Sequence, residues 1–237
     1  MFGGLEVVTA DHLATCHPSN LNLDLFVGDF DADGATSSAL MVRALLSFGH
    51  KKVHYLVPNR FDYGYGLTPE IVDVAISEFS PEILLTVDNG IACHAGVAHA
   101  KAQGLQVIIT DHHLPADELP AADAIVNPNL NGDEFPSKNL AGVGVAFYLM
   151  AKLKSALQEN GWFEEKRIKG KPWPAVNVAK WLDLVALGTV ADVVKLDDNN
   201  RILVNAGLSL MQRERCTAGV LALFDVAGRP AADADSG

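Results

Sequence analysis

Three times in its first half the chain runs apolar for four or five residues and then stops at a carboxylate. Leu23-Asp-Leu-Phe-Val27 gives way to Gly28-Asp29, Ile83–Val87 to Asp88, and Val107–Thr110 to the triplet Asp111-His112-His113. Two more short runs, Val53–Val57 and Ala124–Val126, and helical stretches between the runs complete an alternation of strand and helix at short spacing. That alternation predicts βαβ units, hence an α/β fold with a mostly parallel five-stranded sheet flanked by helices. In an open sheet of this kind ligands sit at the carboxyl ends of the strands. Three strands delivering Asp or His to one rim is the feature that most restricts what the chain can be.

The helices are read from periodicity and punctuation. Thr36–Phe48 carries Leu40, Ala44, Leu45 and Phe48 on one face and stops at Gly49. Thr68 is an N-cap with Pro69 at the first helical position, and a third helix runs from about Cys93 to Gln103. After Gly132 the pattern turns helical, with Leu140–Leu157, Val176–Val194 and Arg201–Met211. The expected organisation is a leading segment over 1–22, an α/β core over 23–130, a helical part of the same domain over 131–222 and a disordered tail over 223–237. Between the first two late helices lies a loop bounded by Trp162 and Trp173, with Lys166, Arg167, Lys169 and Lys171. It reads first as a solvated surface loop and second as a stacking platform for single-stranded nucleic acid.

Charge and cysteine usage narrow the function. A net charge of −11, from 18 basic against 29 acidic residues, argues against nucleic-acid binding through bulk positive charge but leaves room for a local basic groove. Cys16, Cys93 and Cys216 are far apart and form no CxxC, which suits a reducing cytoplasm. Met1–Asp11 has no basic region, so no signal peptide is expected, and the apolar run Leu140–Leu149 is too short for a membrane span.

Six places could carry chemistry. Asp29-Phe-Asp31-Ala-Asp33-Gly34 sets three carboxylates at alternate positions behind a strand, a costly arrangement unless cations offset it. A calcium loop is a competing reading, although the spacing lacks the closing Glu and no helix precedes it; an ordinary acidic turn is another. Asp88, in Asp88-Asn-Gly90, is ordinary turn chemistry alone and gains weight from the strand end it occupies. Asp111-His112-His113 offers oxygen and nitrogen donors within one turn. Asp192, inside the apolar stretch Leu184–Val194, is costly to bury unless paired or metal-bound, and otherwise caps a helix end. Arg60 with Gly64-Tyr65-Gly66 presents a guanidinium fork beside a flexible backbone. Gly142 and Gly144 open a helix whose N-terminus could hold a phosphate, or else allow close packing.

Together these segments resemble the DHH superfamily of phosphoesterases, whose motifs appear in order as Asp29–Gly34, Asp88–Gly90, Asp111–His113 and Gly188–Asp192. Within it, Val57–Leu67, Phe135–Phe147 and Leu184–Val194 are similar to the RecJ-type single-strand-specific 5′→3′ exonucleases, a likeness spanning about Leu23 to Ala222. The resemblance implies two divalent cations, Mn²⁺ or Mg²⁺, held by Asp31, Asp33, Asp88, His112 and Asp192, with Asp88 bridging and Asp29, Asp111 and His113 supporting or sharing in coordination. It implies catalytic parts for Asp88, Asp111 and His113, and contacts to phosphate or DNA from Arg60, Gly64, Tyr65, Gly66, Gly142 and Gly144. Work on single-stranded DNA in repair and recombination follows, with a helicase or a single-strand-binding protein as cellular partners. RecJ-type enzymes continue into a DHH-associated domain and an OB-fold, neither of which is seen here. The chain is accordingly expected to be a catalytic portion that binds metal and grips DNA weakly. Rival readings are a nanoRNA or cyclic-dinucleotide phosphodiesterase, a manganese pyrophosphatase, and a non-catalytic DHH-like scaffold.

Overall fold

The computed structural model describes residues 24–165, 167–168, 171–174 and 176–236. The leading segment over 1–22, Cys16, Lys166 and Lys169 lie outside the described residues. Five strands form one sheet: β1 (Asp24–Gly28), β2 (Val53–Leu56), β3 (Ile83–Val87), β4 (Gln106–Thr110) and β5 (Ala124–Val126). Their order is β2-β1-β3-β4-β5 and every pairing is parallel, as the alternating sequence pattern requires. Side chains alternate across the sheet. Phe26, Ile83, Leu85, Val87 and Ile108 face one core, while Leu25, Val27, Leu84, Val107 and Ile109 face the other.

The first core is closed by α1 (Ala32–Phe48), α5 (Gly142–Glu159), α7 (Leu182–Ala191) and α8 (Asp198–Gln212), the second by α3 (Pro69–Phe79) and α4 (His94–Ala102). The short helices α2 (Arg60–Tyr63) and α6 (Trp162–Glu165), a small hairpin of β6 (Arg167–Ile168) and β7 (Lys171–Pro172), and α9 (Ala218–Ala227) complete the described elements. From β1 the chain crosses to β2 on one side, and β3 lies on the other. The strand order therefore reverses between β1 and β3, and a crevice opens beyond their carboxyl ends. Asp29 and Asp88 stand there.

Local chemistry explains where elements begin. Thr68 accepts a hydrogen bond from Ile71 N at 3.4 Å, with Pro69 at the first helical position, as expected. α1, by contrast, starts four residues before the predicted Thr36. Asp31 caps it by accepting from Gly34 N at 2.9 Å, so Asp33 lies in the first helical turn rather than in a loop. The predicted helix over Val176–Val194 divides into a 3₁₀ turn (Val178–Trp181) and α7.

Two expectations are corrected. The tail is ordered through residue 236: α9 is followed by a 3₁₀ turn (Ala231–Asp233), Ala231 and Ala234 are buried, and Gln212 Nε2 donates to Ala234 O at 2.9 Å. Small alanine side chains let this segment lie close against α8. The tryptophans are not a stacking platform either. Trp162 Nε1 donates to Phe48 O at 2.7 Å and Trp173 Nε1 to Ser47 O at 2.8 Å, so both serve carbonyls left open at the C-terminal end of α1. With 17 residues, α1 holds that end about 25 Å from its acidic N-terminus. Among the described residues no helix is long and apolar enough to cross a membrane.

α7 and α8 pack without room for a side chain at Gly207, where a Cβ would collide with Leu182 O and approach Ala186 Cβ at 2.5 Å. Gly207→Ala is expected to destabilise the chain by about 1–3 kcal/mol, because overpacking outweighs the gain in helix propensity. Thermal unfolding followed by circular dichroism checks this; an unchanged or raised midpoint would show that α8 shifts freely.

Candidate metal centre

The centre is assembled from three strand ends and the termini of three helices. β1 supplies Asp29, and the N-terminus of α1 supplies Asp31 and Asp33. β3 supplies Asp88, β4 supplies His112 and His113, and Asp192 is the C-terminal cap of α7. Asp33, Asp88, Asp29 and Asp111 are buried, at 1%, 2%, 6% and 1% exposure. Such a concentration of buried carboxylates demands donors or cations.

Asp33 obtains donors from α5. Gly142 N donates to its Oδ2 at 2.6 Å and Val143 N to its Oδ1 at 2.8 Å. Ala141 gives α5 no side-chain cap, so the carboxylate of a distant residue fills that role. The expectation that Gly142 and Gly144 hold a phosphate at this helix N-terminus is corrected: the anion bound there is the protein's own Asp33. Gly142 is required for a second reason. A Cβ on it would come within 2.5 Å of Asp88 Oδ1 and 2.7 Å of Asp88 Cγ. Gly144 sits against Leu140, a packing role.

Asp88 has φ of 62°, a left-handed conformation that Asp tolerates better than most side chains. The turn is held by its neighbour: Asn89 Nδ2 donates to Val27 O and Val87 O, both at 2.9 Å, tying the ends of β1 and β3 together. The carboxylate of Asp88 thereby lies 3.1 Å from His112 Nε2, which also stands 3.6 Å from Asp192 Oδ2 and 3.9 Å from Asp33 Oδ2. Gly188 permits this, since a Cβ there would clash with Thr36 Oγ1 and reach 2.8 Å from Val143 Cγ1. It lets α7 lie close enough for Asp192, one turn later, to join the cluster.

The triplet that ends β4 divides its labour. Asp111 Oδ2 accepts from Ile91 N at 2.9 Å, and Oδ1 accepts from His112 N at 2.7 Å, His113 N at 3.1 Å and His113 Nδ1 at 2.7 Å. With Oδ1 bonded to both histidines and Oδ2 to Ile91 N, it positions the imidazoles from behind. Burial works to raise its pKa, but these hydrogen bonds outweigh it and hold the carboxyl below the usual range. The side chain of His113 is 47% exposed, with its ring 4.5 Å from that of His112 and 6.5 Å, edge-on, from Tyr65. Burial together with the negative charges of Asp29 and Asp111 pushes the Tyr65 hydroxyl well above the usual phenol range. Arg60 sits at the rim with its guanidinium 4.3 Å from the ring of Phe30. Gly64 and Gly66 adopt φ of 80° and 71° in the loop that carries Tyr65.

Several residues that position this centre went unnoticed in the sequence. Besides Asn89, Asn127 Nδ2 donates to His113 O at 2.8 Å and Asn129 Nδ2 to His112 O at 2.6 Å, clamping the backbone of the two histidines. Asp197 accepts from Ser137 Oγ at 2.7 Å and Asn139 Nδ2 at 3.0 Å, while the fully buried Asn200 donates to Asn139 O at 2.6 Å and Lys195 O at 2.9 Å. That network fastens the loop before α5 to the segment after Asp192. The run Asn127-Pro-Asn129 beyond a strand end was the available signal; nothing local marks Asp197 or Asn200.

The donors fall into three overlapping groups whose ligand atoms lie within 4.8 Å of one another: Asp29, Asp31 and Asp88; Asp33, His112 and Asp192; and Asp88, His112 and His113. Two buried oxygens, Asp88 Oδ1 and Asp192 Oδ2, have no hydrogen-bond partner. Unpartnered buried carboxylate oxygens beside an imidazole suit divalent cations, and two groups meeting at Asp88 suit a pair. Among the protein groups alone, burial and Asp88 push Asp33 up to about 8, and burial raises Asp88 to about 6 against the pull of His112. Burial works to lower His112, but Asp88, Asp33 and Asp192 outweigh it and raise His112 to about 9.

Cations must therefore displace protons. His112, raised above its ordinary value, holds its proton at pH 7 and loses it as pH rises through about 9, and Asp33 does so through about 8. Mn²⁺ titrated calorimetrically in buffers of different ionisation enthalpy is expected to release at least one proton at pH 7. Its affinity should rise with pH up to about 9, by at most about tenfold per pH unit for each proton released. Binding without proton release would show that these groups are not ligands.

Comparison with known proteins agrees with this arrangement. The model of the DHH family, N-terminal domain, matches residues 25–189. The single-stranded-DNA-specific exonuclease RecJ of Escherichia coli K12 is 58% identical over 207 residues, covering 87% of this chain and 35% of that protein. The crystal structure of exonuclease RecJ bound to manganese superposes with a TM-score of 0.76 at 33% identity, over 94% of this chain and 52% of that one. RecJ from Thermus thermophilus in complex with Mn²⁺ gives 0.72 at 31%, over 94% and 29%. The chain spans about a third of the length of the Escherichia coli relative, at 35%. With its family model matching over residues 25–189, the chain belongs to the DHH family.

Proposed function

We propose that the chain is the catalytic DHH portion of a metal-dependent phosphodiesterase acting as a single-strand-specific 5′→3′ DNA exonuclease, in repair and recombination in the cytoplasm. One observation carries this: the triads Asp29, Asp31, Asp88 and Asp33, His112, Asp192 lie side by side, joined where Asp88 stands 3.1 Å from His112, in the crevice where the strand order reverses. The relatives named as single-stranded-DNA-specific exonucleases support the substrate. Asp29, Asp31, Asp33, Asp88, His112 and Asp192 would hold two divalent cations, Mn²⁺ or Mg²⁺. Mixed Asp and His ligation favours Mn²⁺. When bound, such a pair activates water and neutralises charge on the attacking and departing oxygens.

The chain's own residues do the rest. Asp111 holds His113 by Nδ1 at 2.7 Å, so the opposite nitrogen, Nε2, is presented from a half-exposed ring for proton donation to the reacting phosphate. Tyr65 borders that ring edge-on. Arg60, stacked on Phe30 at the rim, offers a fork for a terminal phosphate. A helicase and a single-strand-binding protein are the partners this activity calls for.

The test is Mn²⁺-dependent digestion of end-labelled single-stranded and duplex DNA beside Asp88→Ala. Loss of single strands from the 5′ end is expected, with the variant slower by at least about 10³-fold. Cleavage of short oligoribonucleotides alone would instead favour a nanoRNA phosphodiesterase. Equal activity of parent and variant would sink the assignment of the site. For His113→Gln, kcat is expected to fall about 10²–10⁴-fold with Mn²⁺ affinity little changed, as for a lost general acid; an equal loss of metal affinity would make His113 a ligand instead.

A further inference from the structure

Two cavities lie side by side along the exposed flank of α1 and share one side chain, Arg43. The first, of about 380 Å³, begins at Ala35 and runs past Ala39 and Val42 beneath Tyr55 and Val57, at the edge strand β2. Ala35 N bonds Asp31 O at 2.9 Å, so this cavity opens one helical turn from the metal cluster. The second, of about 440 Å³, is lined by Arg43, Lys180 and Arg215 with Leu46 and Thr217. From Asp31 to Arg43 the helix advances about 18 Å.

The two ends differ in chemistry. Near the cluster the wall is apolar and carries an aromatic ring, Tyr55, that is 61% exposed. At the far end three exposed cations converge, and among the described residues none of them has an acidic partner within ion-pair distance; Lys180 instead lies 4.4 Å from the ring centre of Trp181. In a chain of net charge −11, three such cations on one face form a local exception. Buried hydroxyls without hydrogen-bond partners, Ser38 Oγ and Thr217 Oγ1, stand in the walls of the first and second cavity.

We infer that this groove is a track for a single nucleic-acid strand leaving the metal centre, with bases against Tyr55 and Val57 and backbone phosphates at Arg43, Lys180 and Arg215. An aromatic face followed by cations is how single strands are held without sequence preference. A start one helical turn from Asp31, with an exposed aromatic ring beside it, favours a strand over an acidic polypeptide, which needs only the cations. At 3.4 Å per stacked nucleotide the track takes about five. The inference rests on the nuclease reading, and its test is independent of catalysis.

Binding of a labelled strand of about a dozen nucleotides is compared with that of a trinucleotide by fluorescence anisotropy. The proteins are the parent, Arg43→Glu/Arg215→Glu, and Tyr55→Ala, each with an unfolding curve to verify the fold. Hydrolysis of a dinucleotide is followed in parallel. The charge reversal is expected to weaken the longer strand at least about tenfold and to lower the slope of log affinity against log salt by about 1.4, two contacts' worth for a single strand. Tyr55→Ala should weaken it roughly 5–100-fold, as loss of one stacked base does. Trinucleotide binding and dinucleotide hydrolysis should not change. Unaltered binding of the longer strand by both variants would overturn the track, as would tighter binding of an aspartate-rich peptide that the charge reversal abolishes. A parent that cleaves no substrate would overturn the nuclease reading, while the binding comparison still decides the groove.

Discussion

The centre depends on one contact, between the Asp33 carboxylate and the first two backbone N–H groups of α5. Both oxygens are bonded, at 2.6 and 2.8 Å, by the positive end of an 18-residue helix. Once Asp33 is ionised, as cation loading requires, charge-assisted bonds of this kind contribute about 1.5–3 kcal/mol each, and the helix field adds up to about 2 kcal/mol in a partly buried setting. The contact reaches across 109 residues of sequence and fixes α5 against α1. It also brings Gly142 so close to Asp88 that no side chain fits there. The turn after β3, the start of α1 and the start of α5 thus form one rigid unit, and α7 reaches it only because Gly188 has no side chain. Small residues here are a consequence of crowding acids into a volume that backbone must also enter.

Where the sequence was legible, the reason was local. Ile83–Val87 and Ala124–Val126 are runs of apolar residues, largely β-branched or leucine, between turn residues, and the strands occupy those spans. Thr68-Pro69 announces a helix start through capping chemistry confined to four residues. The start of α1 was misjudged because an acidic turn and a capped first helical turn share a composition; only burial of Asp33 distinguishes them. The Gly142 segment was read correctly as an anion-binding helix N-terminus and assigned the wrong anion, because a protein carboxylate and a phosphate make the same demand on two N–H groups. Asn89, Asn127, Asn129, Asp197 and Asn200 were illegible. Each is an ordinary turn or cap residue in its own window, and the contacts that give it a role run to another element, as between Asn139 and Asp197, 58 positions apart.

The triplet at the end of β4 shows how neighbouring residues acquire opposite roles. A strand end followed by a tight turn points successive side chains in different directions. His112 enters the carboxylate cluster, Asp111 turns back toward Ile91 N, and His113 stays half in solvent. Three of the four hydrogen bonds to Asp111 come from the two histidines it precedes, so its influence passes through the imidazoles it orients. Asn127 and Asn129 hold the carbonyls of both histidines from the next loop, which removes the backbone freedom a turn would otherwise have.

Electrostatics then ties cation binding to substrate binding. Asp29, Asp31, Asp33, Asp88 and Asp192 carry five negative charges when ionised, and so concentrate at one rim part of the acidic excess behind the net charge of −11. A phosphodiester approaching that rim meets a repulsive field, and burial strengthens it by lowering the local dielectric. Two divalent cations would bring four positive charges and offset most of that repulsion. Proton loss from His112 and Asp33 accompanies that loading, so the free site holds protons where the loaded site holds metal. On a chain with this excess of acid, any attraction for a phosphodiester would have to come from the loaded centre and from local cations such as Arg60, not from the net charge.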